Sequence, residues 1–207
     1  MSVDCEVAMK TTVLGLAIAI APALLWADER PVLPCDDEQS DVAERALEGA
    51  ESLARFAENA LNDADFDDYR QIFRWFNPKE EDELEEVLDV FENILVWSES
   101  VKFLCIAGSV PEGPVYAQVL PTGNFLVELG SLFFEAEEGG RDSQAGTLIH
   151  EISHFVLVGA TNQNQEEVYG WDAAMELAAK DPEAAQQNAE NYQYFAESIF
   201  WPDLTEN

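Results

Sequence analysis

Histidine occurs twice in this chain, at His150 and His154, in the stretch AGTLIHEISHF, with Glu151 directly after the first. Helical residues four apart point the same way, so at 100° per residue the two imidazoles fall within about 40° of each other. Glu151 stands about 100° round from His150. Leu148, Ile149, Ile152, Phe155 and Val156 fill the opposite arc and suit a core. This is the HExxH spacing, in which two neutral imidazoles bind Zn²⁺ and the glutamate serves as general base.

Each residue type has a chemical reason. Imidazole nitrogens suit Zn²⁺, and three protein ligands leave a fourth place for water. The metal lowers that water's pKa to about 7, and Glu151, offset from the ligand pair, can take its proton as it attacks a carbonyl. One Zn²⁺ ion is therefore the expected cofactor. The third ligand must be a carboxylate, because no histidine remains. Downstream of the pair stand Glu166, Glu167, Asp172 and Glu176, and spacing alone does not choose among them.

The surrounding elements must position these groups. The histidines lie in a helical pattern, DSQAGTLIHEISHFVLVG (142–159). Before it come three helical patterns. The first is SDVAERALEGAESLARFAENALNDA, capped by Ser40 or Asp41; the others are DFDDYRQIFRWFN and KEEDELEEVLDVFENILVWSES, with its acids outward. Composition then changes. VKFLCIA, PVYAQVLP, NFLVELG and SLFFEA read as short strands of a small, mainly antiparallel sheet, with PTGN as a hairpin turn. Two helices are expected after residue 168, the last opening at Asp181-Pro182. The fold class is α+β: a helical N-terminal half, a small sheet, the histidine helix and C-terminal helices.

At 207 residues one domain is the default. The run from Met9, MKTTVLGLAIAIAPALLWADE, has the layout of a secretory leader ending at Ala27, with translation starting at Met9. Residues 28–207 then form a single exported domain, secreted or periplasmic. Cys35 and Cys105 remain after cleavage, and two cysteines in an exported chain point to one disulfide. The 42 acids against 10 bases create a field that repels nucleic acid and anionic membrane. Neither is an expected partner once the leader is gone, and the chain is expected to be a monomer.

AGTLIHEISHF, EEVYG and DPEAAQQNAENYQYFAES together resemble the aspzincin metallopeptidases, the group of deuterolysin and the fungal peptidyl-Lys metalloendopeptidases, and most of all the lysine-specific branch. The resemblance is strong over 143–200 and extends back to Cys35, whose spacing from Cys105 is similar to one family disulfide. It implies a zincin-like fold and a zinc endopeptidase acting on peptides or proteins by metal-activated water. In that family the third ligand is an aspartate three residues before a Tyr-Gly pair. Aligned on Tyr169-Gly170, that place falls on Glu166, so the implied ligands are His150, His154 and Glu166, with Glu for Asp and a longer preceding loop. Tyr169 matches the tyrosine that hydrogen-bonds the developing oxyanion. The branch's lysine preference rests on two acids, whose places here are Glu190 and Gln193. One acid is kept and one is an amide, so these are the implied substrate-binding residues for Lys on the leaving side of the cut bond. The departures at Glu166 and Gln193 motivate an alternative, a zinc- or peptide-binding member of the same fold with impaired catalysis.

Overall fold

The computed structural model describes residues 32–63, 70–107, 114–163 and 165–205. The expected leader, and the first residues of the DFDDYRQIFRWFN segment, lie outside them. Strand β1 (Val32–Leu33) leads into α1 (Asp37–Asn62), α2 (Arg70–Trp75) and α3 (Glu81–Trp97). Strands β2 (Lys102–Ile106), β3 (Ala117–Val119) and β4 (Leu126–Leu129) precede α4 (Ser131–Glu135) and α5 (Gln144–Ser153). The chain closes with α6 (Trp171–Lys180), α7 (Pro182–Gln186) and α8 (Ala189–Phe200). The α+β architecture is as expected.

Helix α1 begins earlier than its periodicity implies. Asp36 caps it, accepting from the Gln39 N–H while Gln39 reaches back to the Asp36 N–H, a reciprocal capping box that outcompetes Ser40 and Asp41. Its buried face is mostly alanine: Ala43, Ala46, Ala50, Ala54 and Ala57. Small side chains let neighbours come close, and a Cβ on Gly49 would meet the Ala145 Cβ of α5 at 3.0 Å. The aromatic part of the same core joins Trp75, Phe76 and Phe91 to Tyr192, Tyr194 and Phe195 of α8. Within it the Trp75 indole N–H donates to Ser198 Oγ at 2.9 Å, so its polar edge is satisfied.

The sheet runs in the order β1-β2-β4-β3. β1 is antiparallel to β2 and β3 is antiparallel to β4, with β2 and β4 parallel between them. The β3–β4 hairpin turns through PTGN as expected, which leaves β3 as an edge strand. Cys35 and Cys105 form a disulfide that ties the start of α1 to β2.

Five expectations need correction. SLFFEA is helix rather than strand: after Gly130 the chain turns, the Leu132 N–H donates to the Val115 carbonyl and Phe133 is fully buried. A short apolar run carries no period able to separate the two states. Three helices rather than two follow residue 168, and Asp181-Pro182 opens the short α7, not the last helix. The histidine helix ends at Ser153, with His154 as its C-cap, because the Thr161 N–H bonds to the Ser153 carbonyl and the chain folds back. Val156, expected in the core, is therefore half exposed. Among the described residues no helix is long and apolar enough to cross a membrane.

Candidate metal centre

Every residue of α5 is buried. The helix starts at Ser143, whose hydroxyl accepts from the Gly146 N–H and donates to Glu197 Oε1 at 2.8 Å. Glu197 also accepts the backbone N–H groups of Ser143 and Asp142. Helix α8 runs antiparallel to α5, its first turn reaching His150 and its last turn Ser143. The approach is possible because Gly146 has no side chain: an added Cβ would stand 1.9 Å from Glu197 Oε1.

At the other end of α5 the two imidazoles converge, ring centroids 5.0 Å apart. Each has one nitrogen held by the protein. His150 Nδ1 lies 3.0 Å from Glu190 Oε2, and His154 Nδ1 lies 3.1 Å from the Thr161 carbonyl oxygen. When both rings are neutral and each Nδ1–H donates to its acceptor, both Nε2 lone pairs are left facing inward. They face Glu167: its Oε1 is 2.8 Å from His150 Nε2 and 3.5 Å from His154 Nε2. Beyond the two histidines, the buried Glu167 Oε1 has no hydrogen-bond partner. One ligand atom from each of His150, His154 and Glu167 lies within 4.8 Å of the others. Two imidazole nitrogens and a buried carboxylate oxygen that no other donor holds are the donor set that Zn²⁺ takes.

The structure thus brings Glu167, not Glu166, to the histidines. Glu166 is exposed, Asp172 is exposed on α6, and Glu176 pairs with Lys180 at the surface. Glu167 and Tyr169, two residues apart, share one side of the segment. The Tyr169 hydroxyl donates to Glu167 Oε2 at 2.5 Å, and its ring lies nearly parallel to that of His150, 6.0 Å away. Alignment on Tyr169-Gly170 selects a position along the chain, whereas the direction of a loop side chain is set by hydrogen bonds from elsewhere.

The electrostatics follow from burial among acids. Burial disfavours the His150 cation, but the carboxylates of Glu167 and Glu190, with Glu151 nearby, outweigh it and raise the ring's pKa to about 10. A metal must therefore displace a proton from this site. His154 moves the other way, lowered by burial and then by the charge of His150. Burial disfavours ionisation of Glu167 and Glu190, yet contact with His150 holds both below the usual carboxylate range. Glu151 is pushed up to about 7, chiefly by burial, with His150 opposing and the two neighbouring acids adding. That value suits a group that must both take and give a proton near neutrality. Burial and the Glu167 bond raise the Tyr169 phenol, which stays protonated as a donor.

His150, Glu151 and Tyr169 line two adjoining cavities. One, of about 380 Å³, has Pro114, Leu132 and Thr147 in its wall and is bordered by Asp142, Glu190 and Gln193. The other, of about 440 Å³, runs past His154 and Glu167. Edge strand β3 contributes to both through Ala117. Glu190 and Gln193 are thus placed together at the cavity. Glu190, however, already bonds His150 and accepts the Gly170 N–H at 2.7 Å. Sequence reasoning missed Glu197, Thr161 and Asn188 as supports of the site; a lone polar residue in a helix or loop carries no local signal of what it will hold.

The family described as lysine-specific metallo-endopeptidase, the aspzincins, matches residues 61–197. The chain belongs to the aspzincin family. A peptidyl-Lys metalloendopeptidase of Armillaria mellea is 30% identical over 95% of this chain and 54% of its own length. An extracellular protease of Aeromonas hydrophila is 42% identical over 40% of this chain and 23% of its own. The chain thus spans about half, or less, of the length of these curated relatives. Among solved structures, a zinc peptidase from Grifola frondosa superposes with a TM-score of 0.72 at 29% identity, covering 81% of this chain and 99% of that one. The aspzincin fold agrees with the architecture described above.

Proposed function

We propose that this chain is a secreted zinc-dependent endopeptidase, made with a cleaved leader over residues 1–27 and a single peptidase domain over 28–207. The observation that carries this reading is the buried convergence of His150, His154 and Glu167, with Glu151 beside them at a cavity. His150, His154 and Glu167 would hold the zinc, which when bound supplies Lewis-acid polarisation and a more acidic water. Glu151 takes a proton from the attacking water and delivers it to the departing amine. Tyr169, turning from Glu167, donates its phenolic hydrogen to the oxyanion that develops on the scissile carbonyl. Support for export comes from the disulfide and from the extracellular relative.

An extended peptide fits along β3, the outermost strand of the sheet among the described residues, through main-chain hydrogen bonds. The proposed preference is for Lys on the leaving side, its side chain entering the cavity bordered by Asp142, Glu190 and Gln193. With Gln193 neutral and Glu190 engaged by His150, the preference is expected to be looser than a pair of free carboxylates would impose. Mapping cut sites in a mixed peptide pool, with and without chelator, tests activity, metal dependence and selectivity together. Glu151→Gln should lower cleavage by about 10²–10⁴-fold while the zinc content stays at one ion. Undiminished turnover in that variant would remove the proposal.

A further inference from the structure

Asn188 stands at the start of α8, fully buried, and every hydrogen-bonding position of its side chain is used. Its Oδ1 accepts the Val168 N–H and the Asn162 amide, both at 3.0 Å. Its Nδ2 donates to the Val168 carbonyl at 2.9 Å and to Asn191 Oδ1 at 2.7 Å. The side chain therefore grips both polar groups of one residue, as a neighbouring strand would. Asn191 passes the anchorage on, donating to the Trp75 and Ala174 carbonyls in the core. Two residues beyond Val168, the Gly170 N–H is held by Glu190 Oε1. The segment 168–170 is thus docked on the first turn of α8, the same turn that receives His150 Nδ1.

The gripped residue lies between Glu167 and Tyr169, the two side chains that face the histidines. Two neighbouring glutamates compete here, Glu166 and Glu167, and their chemistry is identical. What separates them is direction: a slip by one residue exchanges which side chain points inward. We infer that Asn188 is a positioning residue whose two-point grip on Val168 selects Glu167 over Glu166 as the third metal ligand. This inference rests on the zinc-site reading above.

The test measures Zn²⁺ affinity of the full chain by competition with a chromogenic chelator, with circular dichroism of each metal-free variant to follow the fold. Asn188→Asp keeps the acceptor for the Val168 N–H and loses both donors. Val168→Pro removes the N–H from the other side and leaves Asn188 in place with its bonds to Asn162, Asn191 and the Val168 carbonyl, so it serves if the asparagine variant does not fold. Each should lower Zn²⁺ affinity about 10–100-fold, the range for partners that orient a ligand. Glu166→Gln should leave the affinity of the parent chain within about twofold but weaken it further, by about tenfold, once the grip is broken, because either glutamate then reaches the ion. A general loss of stability would not create this dependence on Glu166. Unchanged affinity in Asn188→Asp and Val168→Pro, or an effect of Glu166→Gln that is the same in both backgrounds, overturns the inference. The underlying reading fails separately, if Glu167→Gln in the parent chain binds Zn²⁺ as tightly as before.

Discussion

Glu190 Oε2 lies 3.0 Å from His150 Nδ1, so a residue that family alignment marks for substrate recognition bonds a metal-ligand candidate instead. Carboxylate partners of this kind fix the tautomer and orientation of a ligating ring, and their loss costs about 10–100-fold in metal affinity. Glu190→Ala should show that loss in a Zn²⁺ competition titration. Glu190→Gln keeps an acceptor oxygen and should recover part of it. Equal affinity in all three proteins would mean that the contact does not orient the ring.

Selectivity should respond at Gln193, which is buried on the cavity wall four residues before Glu197. Gln193→Glu restores a carboxylate that no histidine engages. A hydrogen bond to a charged group contributes about 1.5–3 kcal/mol, so kcat/KM for a Lys-containing peptide should rise about 10–100-fold relative to a neutral one. Paired peptides differing only at the leaving-side residue would reveal it. No change in their ratio would move the recognition site elsewhere.

Glu197 makes folding stability depend on pH. Burial pushes its carboxyl up to about 8, although the Ser143 and Asp142 donors pull the other way. Below its ordinary value of 4.5 the group is protonated in both folded and unfolded chains. As pH rises from there to about 8 the unfolded chain ionises while the folded chain keeps its proton, so stability falls through that window and levels off above it. Glu197→Gln cannot ionise and should gain on the parent steadily between pH 5 and 8 in urea unfolding. Parallel pH profiles would contradict this.

The α5–α8 contact leaves no room for a methyl group. Gly146→Ala would drive a carbon into Glu197 Oε1 and the Gln193 side chain. Overpacking of this kind costs about 1–3 kcal/mol, and the urea midpoint should fall accordingly. Zn²⁺ affinity should fall with it, because α5 carries His150 and α8 supplies Glu190, which holds the ring's Nδ1.

Removing the disulfide tests a different part of the molecule. Cys35 and Cys105 are 70 residues apart in sequence, and neither lines the two cavities at the metal centre. The double variant Cys35→Ser, Cys105→Ser should lose about 2–4 kcal/mol of stability. At temperatures where it remains folded, its cleavage rate should match the parent.

What the sequence alone determined was local or compositional. A repeat of four on a helix places His150 beside His154 wherever that helix packs, because helical geometry is the same in every fold. The pairing of Cys35 with Cys105, the run of three N-terminal helices and the PTGN turn were readable for similar reasons. Tertiary structure decided the rest. Glu166 and Glu167 are chemically indistinguishable, and only the grip of Asn188 on Val168, 20 residues away in sequence, points one inward and the other to solvent. Glu197 reads as an ordinary helix acid, and Glu190 as a substrate-binding one, until α8 lies against α5. SLFFEA became helix because Leu132 found the Val115 carbonyl and Phe133 found the core. Side-chain direction outside regular elements depends on distant hydrogen-bond partners, and those partners exist only after the chain has folded.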